Sequence, residues 1–329
     1  MRRRRSRSFD LLCTLLVTLG LLVPAVAAGQ RGIALEGAIF LLLPLGSEQA
    51  TGGQSVADPN PSTGQLYWNP AGAARLRERE VAFHHASYFV GPLNAAAVLL
   101  PFDRAGSLGL SVGILDYGQQ ETGDLSGLTG TLSQQAYTLQ ATYATPLGQR
   151  LAFGVTYKLA KFVGSCSGLC PPVAVFDVSS SAVDVGLQYR LLASGDVVLG
   201  AAVRNAGLAL QVNDEAQADP LPTRLQVGGS ARLRFLEREL RGAAIRVNVD
   251  VIDRLLSPGD WALRGGASVG WQDRLTMRVG FVGGSGEGTG ASVGFGVRAG
   301  RAALDLGRIL GGGVDAGRGS SFVSLRTSW

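Results

Sequence analysis

Few residues in this chain have the type and spacing that chemistry requires. His84 and His85 are its only histidines. Neighbours on an extended strand point to opposite faces, so the two cannot chelate one metal without a bulge, and a structural or hydrogen-bonding role is expected. No His-x-x-x-His, no Gly-x-Ser-x-Gly and no phosphate-binding loop occurs. The run Gly283-Gly-Ser-Gly-Glu-Gly288 looks suited to phosphate, but no helix follows it, and a hairpin turn is the better reading. A lipase-like site would need a serine beside one of the two histidines. Cys166 and Cys170 lie in a Gly/Ser/Pro-rich stretch and are expected to form a small disulfide. Two thiols without further ligands make a poor metal site, and a redox pair is usually C-x-x-C on a helix. The chain therefore reads as non-enzymatic, with no metal and no cofactor.

The remaining chemistry is charge. Arg190, Arg224, Arg232, Arg246, Arg264, Arg278 and Arg298 fall on the polar side of alternating segments, together with Asp184, Asp250 and Asp305. In one reading they pair with one another and with carboxylates of an internal segment, since charges deprived of water need partners. In the other they form a basic constriction that draws a carboxylate ligand.

Those charges are positioned by strands. From Glu80 onward the side-chain pattern repeats every two residues almost everywhere. The clearest case runs from Trp261 to Trp271, with Trp261, Leu263, Gly265, Ala267, Val269 and Trp271 on one face and Ala262, Arg264, Gly266, Ser268 and Gly270 on the other. Ten steps of roughly 3.3 Å, tilted about 40°, give a height near 25 Å, that of a lipid-facing band with an indole at each edge. About fourteen strands are expected, beginning near Glu80, Leu93, Ser107, Gln135, Arg150, Ala182, Val197, Thr223, Ala243, Asp260, Leu275, Thr289, Arg301 and Ser320. Longer connections are expected at 119–133, 163–179 and 206–222. The final strand places Trp329, Thr327, Leu325 and Val323 on one face and Arg326, Ser324 and Phe322 on the other. An aromatic end to an alternating strand is what a closed barrel offers its assembly machinery, and Phe322 and Trp329 are its expected closing residues. The fold class is all-β, a transmembrane antiparallel β-barrel.

Arg2 to Arg5 and Arg7, an apolar stretch from Leu11 to Val26 and the pattern Ala25-Val26-Ala27 read as a signal peptide over 1–28, cleaved near Ala27 or Ala28; an uncleaved helix is the alternative. Residues 1–28 hold five arginines and one aspartate, which accounts for +4 of the formal charge of +5. The remainder is near neutral and lacks the persistent basic face that nucleic acid needs. After the signal no apolar run approaches the length of a membrane helix. Any span must use strands, with both termini facing the periplasm and outer-membrane lipid around the wall.

The segment Phe40-Leu-Leu-Leu-Pro-Leu-Gly46, then Gly52-Gly53, Asp58 and Tyr67-Trp-Asn-Pro-Ala-Gly72, resembles the start of the PorV/PorQ-type family within the FadL-like outer-membrane barrels. Asn69-Pro70-Ala71-Gly72 before a strand is its most specific element. The resemblance covers the N-terminal region closely and the rest as architecture. It implies a plug or hatch over 29–79 inside a fourteen-stranded barrel over 80–329. FadL-like members carry hydrophobic substrates such as long-chain fatty acids; PorV-like members serve type IX secretion and hold exported cargo. Around Glu48 to Val56 the chain departs from an Ala-x-Gly-Met-Gly stretch usual in related sequences. Trp68 to Gly72 reads physically as a rigid turn: proline fixes φ, Asn69 caps adjacent backbone and Gly72 permits a tight bend. Direct ligand contact is the other reading. The expected function is a role in protein export at the Gram-negative outer membrane, partnered by secretion-system proteins or cargo. The alternatives are a channel for a hydrophobic small-molecule ligand and a structural barrel without a substrate.

Overall fold

A computed structural model describes residues 36–52, 55–103, 105–124, 127–168, 170, 175–192, 194–210, 218–240, 242–284, 290–310 and 319–329. The segment 1–28, expected to be a signal peptide, lies outside them. Fourteen strands follow one another as β1 (Glu80–Tyr88), β2 (Gly91–Phe102), β3 (Gly106–Asp124), β4 (Gly127–Leu147), β5 (Leu151–Gly168), β6 (Phe176–Arg190), β7 (Val197–Gly207), β8 (Arg224–Arg232), β9 (Ala243–Arg254), β10 (Ala262–Trp271), β11 (Leu275–Gly284), β12 (Gly290–Ala299), β13 (Ala302–Ile309) and β14 (Ser321–Ser328). Each pairs with its neighbours, and β1 pairs with β14 from Glu80 opposite Ser328 to Ser87 opposite Ser321, so the sheet is a closed barrel. All these pairings are antiparallel, and closure leaves no strand edge unpaired.

Burial alternates along the strands, but with the polarity of a water-soluble protein reversed. On β11 the exposed residues include Leu275, Met277, Val279 and Phe281, while Arg278 is buried. On β14 Val323 and Leu325 are exposed, while Phe322, Ser324 and Arg326 are buried. An outward face of uncovered apolar side chains suits hydrocarbon, and an inward face of polar ones suits an enclosed lumen. Among the described residues no helix is long and apolar enough to cross a membrane. Trp261, immediately before β10, and Trp271, its last residue, are both exposed.

The sequence expectation falls short at one end of β3 to β6. Residues 119–133 and 163–179, expected as loops, are largely strand, and β4 alone runs 21 residues. These hairpins extend past the apolar band, where no hydrocarbon enforces a contrast between faces, so the two-residue alternation that marks a strand fades from the sequence. The β3–β4 register shifts between Asp116 and Gln119, where Gly118 has a φ of 76°.

Residues 36–79 are a chain of turns: a 3-10 turn (Ile39–Leu42), α1 (Ser47–Ala50), α2 (Gln65–Trp68) and a second 3-10 turn (Pro70–Arg75). They pack against the inward faces of strands on every side. The approach is so close that a Cβ on Gly154 of β5 would lie 2.4 Å from the backbone of Pro70 and Ala71. The inward glycines are therefore needed for the internal segment to fit. Gly154→Val is expected to cost about 1–3 kcal/mol by overpacking. Outward Gly265→Val, whose Cβ meets nothing nearer than 3.8 Å, is expected to change stability little. Urea unfolding in detergent, followed by tryptophan emission, checks both.

Candidate functional site

Three groups of contacts tie the internal segment to the wall. Glu48 of α1 accepts from Arg278 and Arg326, each at 2.7 Å, and both arginines also reach Asp305, at 2.8 and 2.9 Å. Burial alone would raise the Glu48 pKa; the fields of Arg326 and Arg278 overcome it and hold the carboxyl below its usual 4.5. Glu36 takes a two-pronged ion pair from Arg224 at 2.7 and 2.8 Å. Two guanidinium groups lie over the Trp68 ring, Arg264 4.1 Å and Arg204 4.9 Å from its centroid, and the Trp68 Nε1 donates to the Leu45 carbonyl at 3.2 Å. Each pairing replaces hydration that the arginines lose inside the barrel.

The tetrad is a joint between segment and wall. Asn69 Oδ1 accepts from the Ala71 N–H at 3.1 Å and so caps the turn that Pro70 begins. Its Nδ2 donates to Val56 O and Leu187 O at 2.7 and 3.1 Å. Gly72 differs from expectation. It makes no tight bend but sits within the 3-10 turn, where a Cβ would lie 2.4 Å from Gln65 Oε1.

Beside this joint the segment and wall enclose a cavity of about 30 Å³. Phe40, Leu41, Leu43 and Leu45 of the segment face Leu93, Leu115 and Ala136 of β2 to β4, which makes one side apolar. The other side is polar, with Tyr67, Gln140, Lys158 and Arg204. The Lys158 ammonium is held by Asp184 at 2.6 Å and by Asn205 Oδ1 at 2.8 Å. Asn205 adopts a left-handed φ of 57°, tolerable for asparagine, where the β6–β7 register shifts. Among the described residues the buried Tyr67 hydroxyl and Gln140 Oε1 make no well-formed hydrogen bond, with Ser111 close to the Tyr67 hydroxyl. Burial pushes the Tyr67 pKa up, so the hydroxyl remains a neutral donor. The volume holds about a water molecule, which those orphaned groups would bind. A larger molecule enters only if the Ile39–Leu45 stretch shifts.

The outer surface of the same wall is hollowed. Phe83, His85, Asn94, Ala96, Val112, Ile114, Val323 and Leu325 outline an open depression of about 390 Å³. The backbones of β1 to β3 separate depression and cavity, with inward His84 and Ala95 bordering the depression and inward Leu93, Gly113 and Leu115 bordering the cavity. β2 remains paired on both sides along this stretch, so the wall is closed.

Of the arginines named from the sequence, Arg224, Arg264 and Arg278 are buried inside, and Arg246 reaches Ser230 at 3.1 Å from a half-buried site. Arg190, Arg232 and Arg298 occupy the inward register but sit at the rim that holds the C-terminus rather than lining the lumen. Arg232 turns to Glu237 at 2.8 Å, and Arg298 is exposed. Asp250 accepts from Gln226 and from the Val56 N–H. Cys166 and Cys170 form a disulfide at the far end of β5. His84 points inward to Ser324 at 2.8 Å and His85 outward to Asn94 at 2.8 Å. Sequence reasoning missed Glu36, Glu48, Lys158, Arg204 and Arg326 as site residues. The inward register of Lys158 and Arg326 was the available signal; the two glutamates lie in turns without period.

No protein-family profile matches the sequence, and no curated protein matches it. Solved structures do. The toluene transporter TbuX of Ralstonia pickettii is 12% identical, with a TM-score of 0.57 over 86% of this chain and 97% of its own. The CymD monoaromatic hydrocarbon channel is 12% identical with a TM-score of 0.56, over 88% and 98%. A FadL homologue from Pseudomonas aeruginosa is 12% identical with a TM-score of 0.54, over 87% and 96%. At such identity the likeness establishes the fold, the closed fourteen-stranded barrel of FadL-like outer-membrane proteins.

Two carboxyls of the internal segment give opposite pH behaviour. Glu48→Gln leaves two buried arginines with one carboxylate and is expected to lower stability by about 3–5 kcal/mol. With its pKa lowered, the Glu48 contribution is complete above pH 4.5 and is lost as pH falls through the folded value. Burial pushes Asp58 up to about 7 from 3.8, so its contribution is complete below 3.8 and fades as pH rises through 7. Between pH 5 and 8 that change amounts to about 2–3 kcal/mol. Asp58→Asn is expected to remove it, as measured by urea unfolding at the two pH values.

Proposed function

We propose that the protein is a non-enzymatic conduit for small hydrophobic molecules in a Gram-negative outer membrane, with residues 36–79 acting as its hatch. The observation that carries this reading is the cavity itself: beside a lumen rich in buried charged and polar side chains, segment and wall together build an apolar surface opposite a polar floor. A small apolar molecule with a weakly polar edge fits that division, because pockets of this kind bind by apolar area and orient by a few polar groups. The hollow on the outer face of β1 to β3 supports a sideways route into the bilayer once the wall loosens. The hydrocarbon transporters and channels that share the fold support the same substrate class.

A second reading, a component of protein export, is favoured by the likeness of Asn69-Pro70-Ala71-Gly72 to the PorV/PorQ-type start. It makes the long β3–β6 hairpins a docking surface for cargo and expects cargo to accumulate in the periplasm on deletion. Under the conduit reading, deletion instead slows uptake of toluene or a long-chain fatty acid from dilute medium. Ala136→Phe, which fills the cavity, is expected to reduce that uptake about tenfold while the barrel still assembles. Uptake of radiolabelled substrate by cells carrying each variant decides it; unchanged uptake in the deletion strain would discard the conduit.

A further inference from the structure

The barrel end that holds the C-terminus carries a row of exposed arginines, of which only Arg298, in the inward register, also acts on the luminal Glu48. Arg274 lies in the turn between β10 and β11, and Arg301 in the turn between β12 and β13. The Arg298 N–H donates to Arg274 O at 2.7 Å, and the Ser328 N–H donates to Arg301 O at 3.0 Å. Arg79 and Trp329 exchange both backbone hydrogen bonds at 3.1 Å. These links set Arg274, Arg298, Arg301 and Arg79 along the ends of β11 to β14 and β1, a row roughly 20 Å long at the usual strand spacing. All four are exposed, and none forms a salt bridge with a described residue. The acids in the same stretch are Glu78, Asp273 and Glu80, the last engaged by the Thr63 N–H and hydroxyl at 2.7 Å.

Next to the row the outward wall is bare apolar surface, with Met277 65% exposed and Val297, Leu304 and Leu325 beside it. Trp271 and Trp329, both exposed, bracket it. Indoles mark the boundary between hydrocarbon and headgroups. Guanidinium groups bind phosphate through paired hydrogen bonds. At the opposite end of the barrel the arrangement differs: Lys161 and Arg254 are neutralised by Asp177 and Asp260.

We propose that this row binds the headgroup phosphates of anionic phospholipid in the adjoining leaflet, with the acyl chains lying on the outer wall of β11 to β14. An acidic soluble partner would use the arginines but leave the apolar wall and its indoles unexplained. The proposal requires that the strands meet lipid and is independent of what passes through the lumen.

The test uses the whole chain, in a Trp261→Phe background, in detergent micelles carrying brominated phosphatidylglycerol or brominated phosphatidylcholine. Bromine quenches nearby indoles, so quenching of Trp271 and Trp329 reports lipid at the row. A preference for phosphatidylglycerol on the order of tenfold is expected at low salt, shrinking as salt rises. Arg79→Gln with Arg274→Gln and Arg301→Gln is expected to bring it within about twofold, the corresponding lysine substitutions to keep most of it, and Arg150→Gln, at another turn, to leave it intact. Equal quenching by the two lipids, or a preference that survives the triple glutamine substitution, overturns the proposal. So does loss of the preference in millimolar inorganic phosphate, which would assign the row to a soluble anion.

Discussion

A backbone that crosses hydrocarbon has no water to satisfy its N–H and C=O groups, and the rest of this structure follows from that constraint. Fourteen strands satisfy it only because β14 returns to β1 along the length of both. Once the sheet closes, every strand has an outside and an inside, and side chains must alternate between them. The outside takes the leucines, valines and phenylalanines that a water-soluble fold would bury. The inside receives the arginines and aspartates, and the problem of how to keep them paired.

The internal segment solves that problem. Glu48 and Glu36 meet inward arginines on two parts of the wall, and Trp68 offers its ring to two more. Buried ion pairs contribute modestly to net stability, but removing one partner is costly, so such contacts specify position more than they add strength. The inward glycines complete the fit by letting two backbones nearly touch. What remains is the cavity beside Tyr67, where the apolar Phe40–Leu45 stretch meets β2 to β4. It is small because the segment is seated, and under the proposed conduit function the segment is the element that would move.

The strands were legible in the sequence because lipid and lumen impose opposite demands on successive residues. The starts expected near Glu80, Val197, Ala243 and Leu275 coincide with β1, β7, β9 and β11. Where the two faces are alike, as in 130–134 with every residue half-buried, the contrast vanishes and strand looked like loop. Register parity identified Arg278 as inward, yet it could not show how high in the barrel a residue sits, which is why Arg232 and Arg298 emerged at the rim. The Glu48 cluster was hidden for another reason: it joins a four-residue helix to β11, β13 and β14, more than 200 residues away, and only the closed register brings them together. The tetrad was recognised as a turn, but Gly72 is there to make room for Gln65 rather than to bend the chain.

The most direct test of the central claim, that outward residues meet hydrocarbon while their neighbours meet an enclosed interior, is spin-label accessibility in reconstituted bilayers. Nitroxides placed one at a time along β10 and β11, from Leu263 to Val269 and from Met277 to Phe281, would be exposed to oxygen and to a water-soluble nickel chelate. The account predicts a period of two, with labels at Val269, Met277 and Val279 favouring oxygen and labels at Ser268 and Arg278 shielded from it. Uniform access to the nickel chelate, or a loss of the two-residue period, would contradict it.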